Sequence, residues 1–231
     1  MAVITMSRQF GCGCEQIAAR VCEILGYDYF DKSVIAQVVK GLKLSDSEVV
    51  DFAEEHYQAT GFLARLLRPG PYVVAQVPIA IRDESGGETQ SVKQLDEVRF
   101  IKLIRAVIHA AYKRGNVVIM GRGGQAILQE LPGVLHVRLE MPLGRRIGRI
   151  RERTGLSIDE AQQIVLRHDR TSAQYLENLF GVRWDNPTLY HLVINTGKWE
   201  TEAAAQIIVQ AVHQLESMGV VEVEPVADIT G

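Results

Sequence analysis

The stretch Ser7-Arg8-Gln9-Phe10-Gly11-Cys12-Gly13-Cys14-Glu15 constrains this chain more than any other. Before it, Ala2 to Met6 is a short apolar, β-branched run that reads as a buried strand. After it, Gln16 to Leu25 repeats Ile17, Ala18, Val21, Cys22 and Leu25 at helical spacing, and Gly26 is placed to stop that helix as a left-handed cap. Strand, glycine turn and helix in this order are the layout of a phosphate-binding loop. The glycines let backbone N–H groups close on an anion, and the helix N-terminus adds its partial positive charge. The strict pattern G-x-x-x-x-G-K-[ST] is not met. Laid on Gly13, it puts Arg8 at the first glycine, Cys14 at the lysine and Glu15 at the hydroxyl. The lysine that neutralises terminal phosphates is missing, and so is the hydroxyl that holds magnesium. Arg8 is the replacement cation on offer, because a guanidinium forks onto phosphate oxygens. A purely structural turn fits the same residues.

The 231 residues suffice for one large α/β unit, or one domain with an elaboration. Apolar content of 47% with 23% charged residues is that of a soluble globular chain. A net charge of −3 argues against general nucleic-acid binding while leaving room for a local basic pocket. No apolar run approaches the ~20 residues of a membrane span, and a signal-peptide layout is not found, so a cytoplasmic location is expected. The three cysteines, Cys12, Cys14 and Cys22, make no disulfide framework. Cys12 and Cys14 lack the two-residue spacer of a thioredoxin-like motif, and no Cys/His pair follows at zinc-ligand spacing, so no metal ligand is assigned. Small residues in a tight turn account for them. At a helix N-terminus Cys14 is also the thiol expected to be acidified and easily oxidised.

Further along, Tyr27 to Asp31 reads as a short strand, followed by a helix with Val34, Ile35, Val38 and Val39 on one face. Ser45 to Glu48 is a capping box opening a helix toward His56, and Phe62 to Leu67 is a helical turn ended by Pro69-Gly70-Pro71. The weakly patterned stretch 58–91 reads as an insertion covering the substrate. Leu95, Val98, Ile101, Ile104, Ile108, Ala111 and Tyr112 form one face of a long helix from Gln94 to Gly115. Val117 to Met120 is a core strand, Gln125 to Gln129 a short helix, and Val134 to Leu139 another strand. Pro142 opens an arginine-rich helix, and Ser157-Ile158-Asp159-Glu160 is a capping box for a helix to Leu179. Leu189 to Asn195 reads as the last strand, with Thr201 capping a closing helix to Ser217. Residues 219–231 read as a flexible tail.

Strands alternating with helices give a parallel sheet with helices on both faces, and ligands sit at the carboxyl ends of its strands. Four strand ends carry glycine or arginine: Ser7 to Gly13, Gly121-Arg122-Gly123, Pro142 to Arg146, and Asn195 to Lys198. Turns need glycine in any case, but that explains neither Arg8 nor Arg122. The helix from Pro142 holds five arginines, with Arg146, Arg149 and Arg153 at i, i+3 and i+7 beside an apolar side of Ile147 and Ile150. Guanidiniums over a phosphate tail suit phosphoryl transfer, which asks for charge stabilisation rather than covalent work.

Together, Ile4 to Gly13, Val118-Ile119-Met120-Gly121-Arg122-Gly123, the arginine helix, and Gly181 to Pro187 with Leu192 to Thr196 resemble the cytidylate-kinase-like family. The resemblance implies an α/β fold of P-loop NTPase type: a parallel sheet with helices on both faces, plus NMP-binding and lid helical elements. One domain would span 1–218, with the NMP-binding cover near 58–91 and the lid near 142–178. It implies ATP and Mg2+, bound along Ser7, Arg8, Gln9, Gly11, Cys12, Gly13, Cys14 and Glu15. Catalytic cations would be Arg8, Arg146, Arg149 and Arg170. The acceptor side would comprise Asp31, Arg122, Gly123 and Asp169. Partners would be small-molecule nucleotides, with neither nucleic acid nor membrane, and a homodimer is compatible.

This chain departs from the family where the loop usually continues with glycine, a basic residue and Glu; here Cys14, Glu15 and Gln16 follow. It departs again where the family reads Asp-Lys-x-Arg-x-x-Tyr, since Ser172 replaces the later arginine and Arg170 stands earlier. The leading expectation is a nucleoside-monophosphate kinase acting on CMP or dCMP. Behind it come a catalytically weak nucleotide-binding protein, a kinase for another small acceptor, and a thiol switch at Cys12 and Cys14.

Overall fold

The apolar run at the start becomes β1 (Val3–Arg8), and every other part of the main sheet is assembled around it. The structure, a computed structural model, describes residues 2–30, 73–82 and 88–218. In order follow α1 (Cys14–Leu25), β2 (Asp28–Phe30), β3 (Val73–Arg82), β4 (Glu88–Asp96), α2 (Glu97–Arg114) and β5 (Val117–Met120). Then come α3 (Gly124–Ile127), β6 (Val134–Glu140), α4 (Leu143–Thr154), α5 (Ile158–Phe180), a 3-10 turn (Pro187–Leu189), β7 (Leu192–Asn195) and α6 (Thr201–Ser217). Five strands form one parallel sheet in the order β2-β5-β1-β6-β7. Because all five run the same way, their carboxyl ends share one edge. The loop after β1, the turn after β5, the start of α4 and the turn after β7 therefore meet there, as the strand-end residues led us to expect.

Alternation along the strands supplies two cores. Val3, Val117, Ile119 and Val134 face one side with Ile104 and Ile108 of α2 and Tyr175, Leu176 and Leu179 of α5. Ile4, Met6, Val118, Leu135, Val137 and Leu139 face the other, against Ile17 and Val21 of α1 and Ile208 and Val212 of α6. Helices thus cover both faces, as a parallel sheet requires. A third, smaller cluster joins α4 to α5 through Ile147, Ile150, Ala161 and Val165, with Phe10 packed against it. The capping box of α5 forms as expected: the Ser157 side chain accepts from Glu160 N, and the Glu160 carboxylate accepts from Ser157 N.

Several boundaries differ from the sequence reading: β1 continues through Ser7 and Arg8, and α3 is Gly124–Ile127 rather than Gln125 to Gln129. Gln94 and Leu95 belong to β4, where they pair with Gln76 and Ala75, so α2 starts only at Glu97. Apolar residues at the strand's end had extended the helical period backward. Residues 189–191 lie in the 3-10 turn and a connector, so β7 begins at Leu192. The cap of α6 is Glu200, without a side-chain hydrogen bond, and Thr201 is its first helical residue. Of the expected cover at 58–91, the described residues form the antiparallel hairpin of β3 and β4. The helices expected between residues 32 and 68, Asp31 and the tail 219–231 lie outside the described residues.

One face of the sheet carries a polar row that alternation alone does not reveal. Thr5 Oγ1 lies 2.7 Å from His136 Nδ1, and the His136 ring stacks on His191 at 5.1 Å. His136 is 3% exposed, and burial, with the neighbouring His191, pushes its pKa down to about 4. An unfolded histidine protonates near pH 6.5. Between these two values only the unfolded chain takes up the proton, so stability is full above about pH 6.5 and falls as the pH drops toward 4. The loss should total about 3 kcal/mol. Urea unfolding at pH 7 and pH 4.5 checks this, with His136→Gln expected to flatten the dependence. An unchanged slope in that variant would assign the acid sensitivity to other groups.

Candidate functional site

The loop after β1 is held from three directions. Gln9 extends the β6 ladder: its N–H donates to Leu139 O at 3.0 Å, and its Oε1 accepts from Met141 N at 3.0 Å. Phe10 is gripped by the α4–α5 pair. Its N–H donates to Asp169 Oδ1 at 2.9 Å, its carbonyl accepts from Arg146 at 3.2 Å, and its ring stacks on His168 at 4.0 Å. From the far side, Thr196 Oγ1 donates to Cys12 O at 2.8 Å. Gly13 then caps α1 in the left-handed region, φ 78°, with no side-chain hydrogen bond to the helix end. The first N–H groups of α1, from Cys14 onward, have no intrahelical acceptor and make an anion-ready terminus.

Gly13 is also where the lid arginine arrives. A Cβ built there would lie 2.5 Å from one terminal nitrogen of Arg149 and 2.6 Å from the other. Only a hydrogen at this position leaves room for the guanidinium against the loop. Arg149 donates to Gln16 Oε1 at 3.2 Å. Arg8, at the end of β1, has a side chain 16% exposed and stands 3.7 Å from Glu15, whose carboxylate is open to solvent. The negative charge that Glu15 brings to the loop is thus directed at Arg8.

Arg146 has a different setting from Arg149, although both sit on one helical face. Its guanidinium is 4% exposed, donates to Met141 O at 2.9 Å, and pairs with Asp169 Oδ2 at 2.6 Å. Asp169 therefore spends one oxygen on Arg146 and the other on Phe10 N. Arg145 donates to Gly197 O, joining α4 to the turn after β7. Arg153 and Arg170 are exposed.

The turn after β5 has three successive residues with positive φ: Gly121 at 70°, Arg122 at 61° and Gly123 at 72°. For a residue with a side chain this conformation costs about 1–2 kcal/mol, and such strain gathers at functional sites. Arg122 is 6% exposed. A Cβ at Gly123 would sit 2.5 Å from the Phe180 ring, so α5 packs directly on this turn.

Ser7 lies deeper than the loop residues beside it. Its hydroxyl, in a residue 1% exposed, accepts from Trp184 Nε1 at 3.0 Å. Next to it Arg138 is 2% exposed, lies 4.3 Å from the Trp184 ring, pairs with Glu140 at 2.5 Å and donates to Trp184 O. Sequence reading missed this cluster. The one available signal was Arg138 and Glu140 at alternate positions of an otherwise apolar strand.

The cysteines reverse the expected order of acidity. Burial pushes the Cys14 thiol up, while a hydrogen bond from Cys14 holds the Cys12 thiol below its ordinary value. Both residues are 1% exposed. The charge of Arg8 pulls Cys14 down, but loss of hydration outweighs it.

The cytidylate kinase-like family matches residues 3–198. The chain belongs to that family. It is 35% identical to the cytidylate kinase of Pyrococcus horikoshii over 116 residues, 50% of this chain and 58% of the relative. With the cytidylate kinase of Thermococcus sibiricus identity is 39% over 101 residues, 43% of this chain and 51% of the relative. The chain thus spans little more than half the length of the curated relatives it matches. Among solved structures, an uncharacterized protein from Eubacterium ventriosum superposes with a TM-score of 0.62 at 17% identity, covering 92% of this chain and 99% of that one. A gluconokinase from Sinorhizobium meliloti gives 0.52 at 11% identity, covering 94% and 97%. Both share the fold, which is that of the P-loop kinases.

The described part of the site of this family member suits a phosphate chain. The uncapped α1 terminus, the close approach at Gly13 and two arginines suit phosphate oxygens. Among the described residues, no three His, Cys, Asp or Glu side chains gather as a metal site. Mg2+ is ordinarily held by one or two carboxylates plus substrate phosphates, so it would enter with the nucleotide. No helix among the described residues is long and apolar enough to cross a membrane.

Proposed function

We propose that the chain is a nucleoside-monophosphate kinase that moves the terminal phosphoryl group of ATP to CMP or dCMP. The observation that carries this reading is the seat of the Arg149 guanidinium on Gly13, at an uncapped helix terminus. In this reading the amides at Gly13 and Cys14 cradle the donor phosphates. Arg149 and Arg8 neutralise the group in transfer, with Arg170 joining them. Arg146 and Asp169 hold the loop in shape from behind. Gly123 gives α5 its close approach, and Arg122 and Asp31 receive the acceptor. Mg2+ offsets charge on the donor phosphates when they are bound. The acceptor is already an anionic phosphate, so no protein base is required, but water must be kept out. The α4–α5 pair, touching the loop through Arg149 and Asp169, is the cover for that task. The choice of cytosine follows the named relatives. A cytoplasmic setting and small-molecule nucleotide partners go with the same reading.

A second reading has its own observation. Arg8 lies 3.7 Å from Glu15, so one of the cations at the loop is partly neutralised within the chain. A nucleotide-binding protein with little turnover would look like this. Arg122→Ala separates acceptor recognition from loop binding. KM for the monophosphate should rise about 10- to 100-fold, a loss of about 1.4–2.7 kcal/mol in binding. KM for ATP should change little in steady-state assays varying each substrate. Equal effects on both substrates would remove Arg122 from the acceptor site.

A further inference from the structure

We propose that Cys12 and Cys14 are a reversible modification site: a peroxide joins them in a disulfide within the phosphate loop, and a dithiol releases it. Gly13 between them sits at φ 78° and ψ 24°. One left-handed residue of this kind brings its two neighbours to a Cα separation of about 5.5 Å, inside the range a disulfide spans. The two side chains also enter one and the same buried cluster beneath the loop. Both residues are 1% exposed, so hydrogen peroxide, small and neutral, is the oxidant named here.

The pair is also chemically divided in the way such a reaction needs. Cys12, whose thiol Cys14 holds below its ordinary value, is the more readily ionised of the two and the one taken to attack. Cys22, pushed up to about 11 by burial, stays a thiol. The Cys12 thiolate attacks one peroxide oxygen, the O–O bond breaks, and the leaving oxygen departs as water, giving a sulfenic acid. The Cys14 sulfur then attacks the Cys12 sulfur, the S–O bond breaks, and a second water leaves. Two thiols and one hydrogen peroxide thus give one disulfide and two waters. The ring so closed contains the Gly13 and Cys14 amides and fixes two donors that would otherwise wrap an anion. That consequence, unlike the bond itself, rests on the phosphate-binding reading of the loop.

Trypsin cuts after Arg8 and Arg20, so one peptide, Gln9 to Arg20, holds Cys12 and Cys14 without Cys22. The reduced full chain is treated with one equivalent of hydrogen peroxide, unfolded, alkylated and digested. The expected peptide carries no alkyl group and is lighter by two hydrogens than its reduced form. Dithiothreitol should restore double alkylation, and Cys22 should be alkylated throughout. In Cys14→Ser the reaction should stop at a sulfenic acid on Cys12, captured by dimedone. A doubly alkylated peptide after peroxide, or a disulfide to Cys22, overturns the proposal. Calorimetry with inorganic pyrophosphate should show at least tenfold weaker binding to the oxidised chain. Equal affinity in the two states refutes the effect on the loop. Failure of both states to bind refutes the phosphate reading, while the peptide mass still decides the bond.

Discussion

Arg146→Ala is expected to lower the unfolding free energy by about 3–5 kcal/mol, before any nucleotide is added, because it breaks a buried ion pair. The guanidinium is 4% exposed and touches Met141 O, Phe10 O and Asp169 Oδ2. Its removal leaves the Asp169 carboxylate, 15% exposed, without its cation, and two backbone carbonyls lose a donor. Loss of a partner in such a pair costs far more than the intact pair contributes, since the remaining charge stays poorly solvated. Urea denaturation should show a lower midpoint with an unchanged slope. Asp169→Asn should also be costly: its amide oxygen can still accept from Phe10 N, but the NH2 then faces the Arg146 donor and the buried guanidinium loses its counter-charge. A loss under about 1 kcal/mol for Arg146→Ala would mean that the α4–α5 pair does not brace the loop.

Arg149→Ala should behave in the opposite way. Its hydrogen bond goes to the exposed Gln16, so stability should stay within about 0.5 kcal/mol of the parent. If Arg149 meets the group in transfer, kcat should fall about 10³-fold, which is about 4 kcal/mol of transition-state stabilisation. Arg149→Lys should recover part of this, since a point charge replaces the charge without the fork. A fall of tenfold or less, by single-turnover assay at saturating ATP, would take Arg149 out of the chemistry. The pair of variants separates two arginines that lie three residues apart on one helix.

That contrast marks the limit of what the sequence discloses. Periodicity put Arg146 and Arg149 on the same face of α4, and the structure keeps them there. It could not show that Asp169 of α5 comes under one of them while Gly13 comes under the other, because these are contacts between distant parts of the chain. The order strand, glycine loop, helix and the cap at Gly26 were legible, since local apolar pattern and glycine placement decide them, although β1 runs on through Ser7 and Arg8 and α1 starts at Cys14. The edge where the site gathers was legible for a related reason: parallel strands must end together. Leu95 misled because a strand that runs straight into a helix keeps an apolar residue at the junction. Ser7 was read as a loop residue, and its hydroxyl is taken by Trp184, 177 positions away. Cys14 was expected to be the acidic thiol, yet burial reverses the order, and burial is a tertiary fact.

The most direct test of the kinase reading is ADP release from Mg-ATP by the full chain, with CMP, dCMP, UMP, AMP or no acceptor. Release is expected to depend on the acceptor, fastest with CMP or dCMP and near background in the blank. Thermal stabilisation by ATP without acceptor-dependent release would contradict the kinase reading and favour the nucleotide-binding protein, with the Arg8–Glu15 pair as the first place to look.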